Sequence, residues 1–142
     1  MNADEWNARY PVGTFVLAYP MTRDDAPLPT RTRTPAWTLG HGEPVVSVEG
    51  EAGGICLSHV DVVDEQTSRR TWLLAEIRSS RGQWSTLRAE SAYRKSPWST
   101  SGRNTARKDL RALAARGELT VWDDQTTGRR AYTSNSTLRR AA

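Results

Sequence analysis

The apolar positions of this chain change their spacing near its middle. Through residue 60 they come in short runs separated by Gly- and Pro-rich breaks; after residue 65 they recur three and four apart. Short bounded runs are the mark of strands, and the longer period is that of amphipathic helices. Strands are predicted at 14–19, 30–34, 45–48 and 55–60, with 35–39 continuing the second beyond a kink at Pro35. A loop at 20–29 that holds three prolines, and turns at 40–44 and 49–54, separate them. Residues 1–10 predict a short helical turn or an arm, with Trp6 and Tyr10 packed back. Four or five short strands broken this regularly describe a small antiparallel barrel or meander.

Past an acidic connector at 61–65, residues 69–81 predict a helix with Trp72, Leu73 and Ile77 turned inward. Residues 82–85 break it, 86–94 predict a second helix that buries Leu87, Ala89 and Tyr93, and 95–102 form a long turn. The clearest pattern comes next. Over 103–116, Ala106, Leu110, Leu113 and Ala114 fall on one stripe, and Asn104, Thr105, Arg107, Lys108 and Arg111 fall on the other side. Residues 99–104 offer capping side chains and Gly117 a stop. Residues 119–122 and 129–133 are β-prone, and the polar segment 123–128 puts Gly128 where a hairpin turn favours positive φ. The cations of the helix lie on its first turns, beside its own positive dipole end, which costs an isolated helix roughly 0.3 to 1 kcal/mol per charge. A cost of that sign makes sense if the charges meet an external anion such as a phosphate backbone.

The run T-A-R-K-D-L-R-A-L-A-A-R-G-E-L at 105–119, with the hairpin after it, resembles winged helix-turn-helix DNA-binding domains. It shares their recognition-helix pattern of Thr, Arg, Asp-Leu, a second Leu, then Gly and an apolar residue. The likeness covers residues 66–135, about half the chain, and the turn at 95–102 is longer than that of a minimal helix-turn-helix. It implies that the helix at 103–116 reads duplex DNA, assisted by a wing at 122–133. The N-terminal half is similar to small SH3-like barrels. Through W-N-A-R-Y-P-V-G-T and R-T-R-T-P-A-W it also resembles small uncharacterised proteins of high-GC bacteria and their phages. The expected fold class is α+β: a small antiparallel SH3-like β-barrel or meander at 1–62, a linker at 63–70, a winged helix-turn-helix domain at 71–135 and a flexible tail at 136–142.

Charge adds to this division. Residues 1–64 carry four Arg against nine Asp or Glu, a balance of −5, and residues 65–142 carry sixteen Lys or Arg against seven acids, a balance of +9. The asymmetry points to two modules with different partners, the second partner anionic. Arg107 and Arg111 are four apart, hence on one face, with Arg103 and Lys108 flanking. Arg103, Asn104 and Arg107 are expected at base edges, where Arg is the commonest reader of guanine. Lys108 and Arg111 are expected on phosphates, with Ser101 and Thr105 as further phosphate donors near the helix start. Arg129 and Arg130, at the return of the wing, are expected at the minor groove or the backbone. Asp109 is expected to pair with a neighbouring Arg or with the first helix of this half. Trp98 and Trp122 are expected to close the core rather than to stack on bases. Arg31 and Arg33 share a strand face, as an auxiliary phosphate contact or as charge that protects an edge.

Catalysis is not expected. Cys56 and His59, three apart on a predicted strand, point to opposite faces, and Cys56 between Ile55 and Leu57 reads as a small buried residue. One Cys and two His do not make a zinc site by spacing, and neither a Gly-rich phosphate loop nor a nucleophile elbow is present. No cofactor is expected. A single Cys fits a reducing compartment, and no apolar run suggests a secretory signal or a membrane span, so a cytoplasmic location is expected. The expected function is a DNA-binding protein, a transcriptional regulator of phage or mobile-element type. Its partners would be double-stranded DNA and, through the N-terminal domain, a second copy or another protein. The alternative is a protein-interaction adaptor or inhibitor acting on a host machine such as RNA polymerase. RNA binding through the small barrel is a third reading.

Overall fold

In the computed structural model, which describes residues 1–135, Asn2 opens the first helix by accepting the amide of Glu5 at 2.8 Å. The expected tail at 136–142 lies outside the described residues. Helix α1 (Ala3–Arg9) buries Trp6, whose ring meets Tyr10 at 4.7 Å. The chain then divides into two compact units, Met1–Arg69 and a second one that begins at Arg70. The fold is α+β, with four α-helices and three small antiparallel sheets among the described residues.

The first unit holds six strands: β1 (Phe15–Ala18), β2 (Leu28–Arg31), β3 (Trp37–Thr38), β4 (Pro44–Val46), β5 (Ile55–Cys56) and β6 (Val60–Val62). They form two sheets, ordered β2-β1-β6 and β3-β4-β5, and neither closes into a barrel. Strands of two to four residues, interrupted at Pro35, are too short to carry one continuous ladder. Strand β2 starts inside the segment expected to be a loop. Pro29 is tolerated there, opposite Leu17, because β2 is an outer strand of its sheet. Beyond β2 the chain turns to the other sheet: Thr32 bridges Val48, and the Arg33 amide donates to Ser47 at 2.9 Å. The strand expected at 55–60 is broken by a 3-10 turn, Leu57–His59. Val16, Ala18, Val46, Val48 and Val60 form the core of this unit with Trp6. The Asn7 side chain joins α1 to β3 by bonding both the amide and the carbonyl of Ala36, at 2.8 and 2.9 Å. Asn7 and Ala36 lie in the runs 6–14 and 31–37 on which the resemblance of this half rests.

Helix α2 (Glu65–Ser79) starts four residues earlier than its apolar spacing indicates, so most of the expected linker is helical. Asp64 causes this by accepting the Thr67 amide at 2.6 Å. Leu73, Leu74 and Ile77 are buried, and Trp72 lies against Tyr93 and Trp98 at 5.6 and 5.8 Å. Trp84 exchanges two 2.8 Å backbone bonds with Tyr132, which sets residue 84 beside the hairpin as a one-residue strand. Helix α3 (Thr86–Tyr93) is capped by Ser85. Leu87, expected in the core, is 62% exposed. The inward face of this short helix belongs to Ala89 and Tyr93, and Leu87 lies roughly 120–160° away from them around the axis.

Helix α4 (Arg103–Ala115) buries Ala106, Asp109, Leu110 and Leu113. Its end is a Schellman motif: the Gly117 amide donates to Ala114 and the Glu118 amide to Leu113, both at 3.0 Å, with Gly117 at φ +82. Strands β7 (Leu119–Asp123) and β8 (Arg130–Ser134) follow in full register from Leu119 opposite Ser134 to Asp123 opposite Arg130.

Candidate functional site

Helix α4 is held at its one acidic position. Asp109 is fully buried and accepts from Arg70 Nε of α2 at 2.7 Å and from the Tyr93 hydroxyl of α3 at 2.6 Å. A carboxylate on the buried stripe thus ties three helices together and fixes the rotation of α4 about its own axis. The opposite face of α4 carries Arg103, Asn104, Arg107, Lys108 and Arg111.

Several other charges in this unit are paired. Arg78 bonds Glu118, Arg94 bonds Glu90, and Arg130 bonds Asp123 at 2.8 Å across the hairpin. Arg88 stacks over Trp84 at 4.2 Å and donates to two backbone carbonyls. Among the described residues, no carboxylate lies within ion-pair distance of Arg103, Arg107, Lys108 or Arg111; Arg107 reaches only Asn104, at 3.3 Å. On this face Arg103, Asn104, Lys108 and Arg111 are exposed and Arg107 is half-buried.

Two hollows flank that face. One, of about 450 Å³, is lined by Arg103 and Arg107 of α4, Arg129 and Arg130 of the hairpin, and Ser85 and Leu87 at the start of α3. The other, of about 280 Å³, is lined by Arg107, Arg111, Arg130, Asp123, Thr86 and Tyr132. Five of the expected site residues, Arg103, Arg107, Arg111, Arg129 and Arg130, thus share one concave surface. Asn104 and Lys108 are exposed on α4 but line neither hollow. Ser101 and Thr105 are half-buried and lie outside both; the Ser101 amide donates to Trp98 in the turn before α4. Gly102 stands at the N-cap with no side chain capping the helix, so the expected polar caps at 99–104 do not form.

The hairpin end is rigidly turned. The Asp124 side chain accepts the amides of Thr126 and Thr127, which hold its pKa below the usual carboxylate value, and Gly128 sits at φ +70. Trp122, expected in the core, is 52% exposed, with its indole N–H donating to Thr133 at 2.8 Å. Among the described residues no element packs over the outer face of the hairpin to bury this ring. Trp98 is buried as expected.

Sequence reasoning missed Ser85, Thr86 and Leu87 at this surface. The available signal was the Ser85 cap, since a capped helix start aims its first residues outward, but the apolar character of Leu87 masked it.

In the first unit Arg31 bonds Glu49 at 2.8 Å, and Arg33 Nε donates to Val48. Both cations brace the turn at 49–51. Cys56 is half-buried rather than buried, at the end of its strand, and burial together with the neighbouring Glu43 raises its pKa. His59 Nδ1 lies 3.2 Å from the Tyr19 carbonyl, in the 3-10 turn rather than on a strand. Among the described residues no cluster of three His, Cys, Asp or Glu is placed to hold a metal ion, and no helix is long and apolar enough to cross a membrane. No protein-family model, no curated protein and no solved structure matches the chain.

Proposed function

We propose that the chain is a DNA-binding protein, a transcriptional regulator of phage or mobile-element type. In this reading the second unit is a winged helix-turn-helix. Helix α2, the one-residue strand at Trp84, helices α3 and α4 and the β7–β8 hairpin supply its elements in order. Helix α4 reads the major groove, and the hairpin is the wing. The observation that carries the reading is the face of α4: Arg103, Arg107, Lys108 and Arg111 have no carboxylate partner, and three of them border a concave surface shared with Arg129 and Arg130. A phosphate backbone is the ligand such a surface suits. The first unit, an SH3-like arrangement of short strands with an acidic balance, serves contact with a second copy or with another protein.

Gel shifts of genomic duplex fragments over a salt series test this. Salt-dependent binding is expected, and it should be strongly weakened in the Arg107→Ala, Arg111→Ala double variant. Binding of that variant equal to the parent's would reject the reading.

A second reading, an adaptor or inhibitor of a machine such as RNA polymerase, draws on the exposed Trp122 and Leu87, since large apolar side chains at a surface favour protein contact. Recovery of one stoichiometric protein from nuclease-treated lysate, lost in Trp122→Ala, would favour it.

A further inference from the structure

The smaller hollow is lined by three arginines and one carboxylate of the chain itself, and that carboxylate bonds only one of the three. Arg107 and Arg111 lie four apart on α4, and Arg130 enters from β8. Asp123 stands opposite Arg130 in the hairpin register and accepts from its Nε at 2.8 Å, with both side chains about half exposed. Three cations around one monoanion leave a positive excess in a cavity of about 280 Å³. The acid of α4 cannot supply the missing charge, because Asp109 is buried against Arg70 and Tyr93. A phosphoryl group adds one negative charge as a phosphodiester, or up to about two as free phosphate, on two or three unbridged oxygens that guanidinium forks can grip together.

We infer that this hollow seats one phosphoryl oxyanion on Arg107, Arg111 and Arg130, and that Asp123 is a built-in competitor for that seat. The inference rests on the DNA reading for its natural ligand, a backbone phosphate, but the chemistry is equally that of free phosphate. Asp123 holds Arg130 whenever the seat is empty, so an arriving phosphate gains less than three free arginines would give. Indiscriminate binding is weakened, and sites at which base-edge contacts add to the phosphate contact gain in relative preference.

The test uses the full chain, its Asp123→Asn variant and a Glu90→Gln control, which changes net charge equally on α3 outside the hollow. The guanidinium Nε–H resonances of Arg107, Arg111 and Arg130 are followed during titration with inorganic phosphate at constant ionic strength. They should shift together and saturate, and do so at lower phosphate in Asp123→Asn. In parallel, affinity for a random-sequence duplex should rise about two- to five-fold in Asp123→Asn, the range of an exposed ion pair. Its salt slope should steepen by about one. Glu90→Gln should change neither.

Absence of a saturable shift, or saturation of parent and Asp123→Asn at the same phosphate concentration, overturns the inference. So does a duplex affinity and slope in Asp123→Asn equal to the parent's, an outcome that leaves the DNA reading standing. Saturation by phosphate with no duplex bound by either protein supports the seat as one for free phosphate and removes the DNA reading instead.

Discussion

Asp109 is the residue on which the cationic face depends. Breaking a buried pair by removing one partner costs about 3 to 5 kcal/mol, because the other charge is left uncompensated. Asp109→Ala should therefore lower unfolding stability by about that much in urea titration, and Tyr93→Phe by roughly 1.5 to 3 kcal/mol for one hydrogen bond to a charged acceptor. The exposed arginines should behave differently. Arg111→Ala should leave the urea midpoint unchanged, reduce affinity for all duplexes alike and lower the salt slope by about one. Arg103→Ala, at a residue expected at a base edge and outside the smaller hollow, should cost about 1 to 3 kcal/mol of discrimination at one position of a selected site. Fluorescence anisotropy against matched and mutated duplexes separates the two outcomes. The pairing of Asp109 was legible in the sequence, since a lone acid within a basic helix needs a cation. That Arg70 and Tyr93 would both serve was not, because they lie 39 and 16 residues away and only packing brings them in.

At the scale of elements, α4 and the hairpin each have an end that one glycine decides. Nothing lies within 4 Å of a Cβ built on Gly117, so Gly117→Ala tests backbone conformation alone. It should cost about 1 to 2 kcal/mol for left-handed φ, read as a lower melting temperature with DNA-free protein. The tip of the hairpin is pH-sensitive. The amides of Thr126 and Thr127 favour the charged form of Asp124, so its folded pKa lies below the unfolded one. The stabilisation is complete above the unfolded value and is lost as pH falls through the folded value. Protection factors of the Thr126 and Thr127 amides, which divide out the intrinsic pH dependence of exchange, should fall only as pH drops below the usual carboxylate range, and Asp124→Asn should reduce that dependence. Both glycines and the order of helix, stop and hairpin were readable in the chain. The placement of Leu87 and Trp122 was not, because an apolar side chain on a short helix or an outer hairpin face has no local signal telling which way it points.

At the scale of the whole molecule, the proposed DNA binding ties the split of charge between residues 1–64 and 65–142 to a response to salt. Four phosphate contacts, from Arg107, Lys108 and Arg111 of α4 and Arg130 of β8, would lose on the order of a hundredfold in affinity between 50 and 200 mM salt, and a weaker dependence would mean fewer contacts. The sequence by itself determined the two-part organisation, the amphipathic helix at α4, its stop at Gly117 and the sign of the charge it presents, because periodicity, capping and composition act over a few neighbouring residues. Only the tertiary structure decided that the short strands form two separate sheets, that Asp109 rather than a surface acid is the anchor of α4, and that Arg130 is shared with Asp123 beside Arg107 and Arg111. Those outcomes depend on which distant side chains meet, and pairings across tens of residues are chosen by packing and charge neutralisation in space rather than by any local pattern.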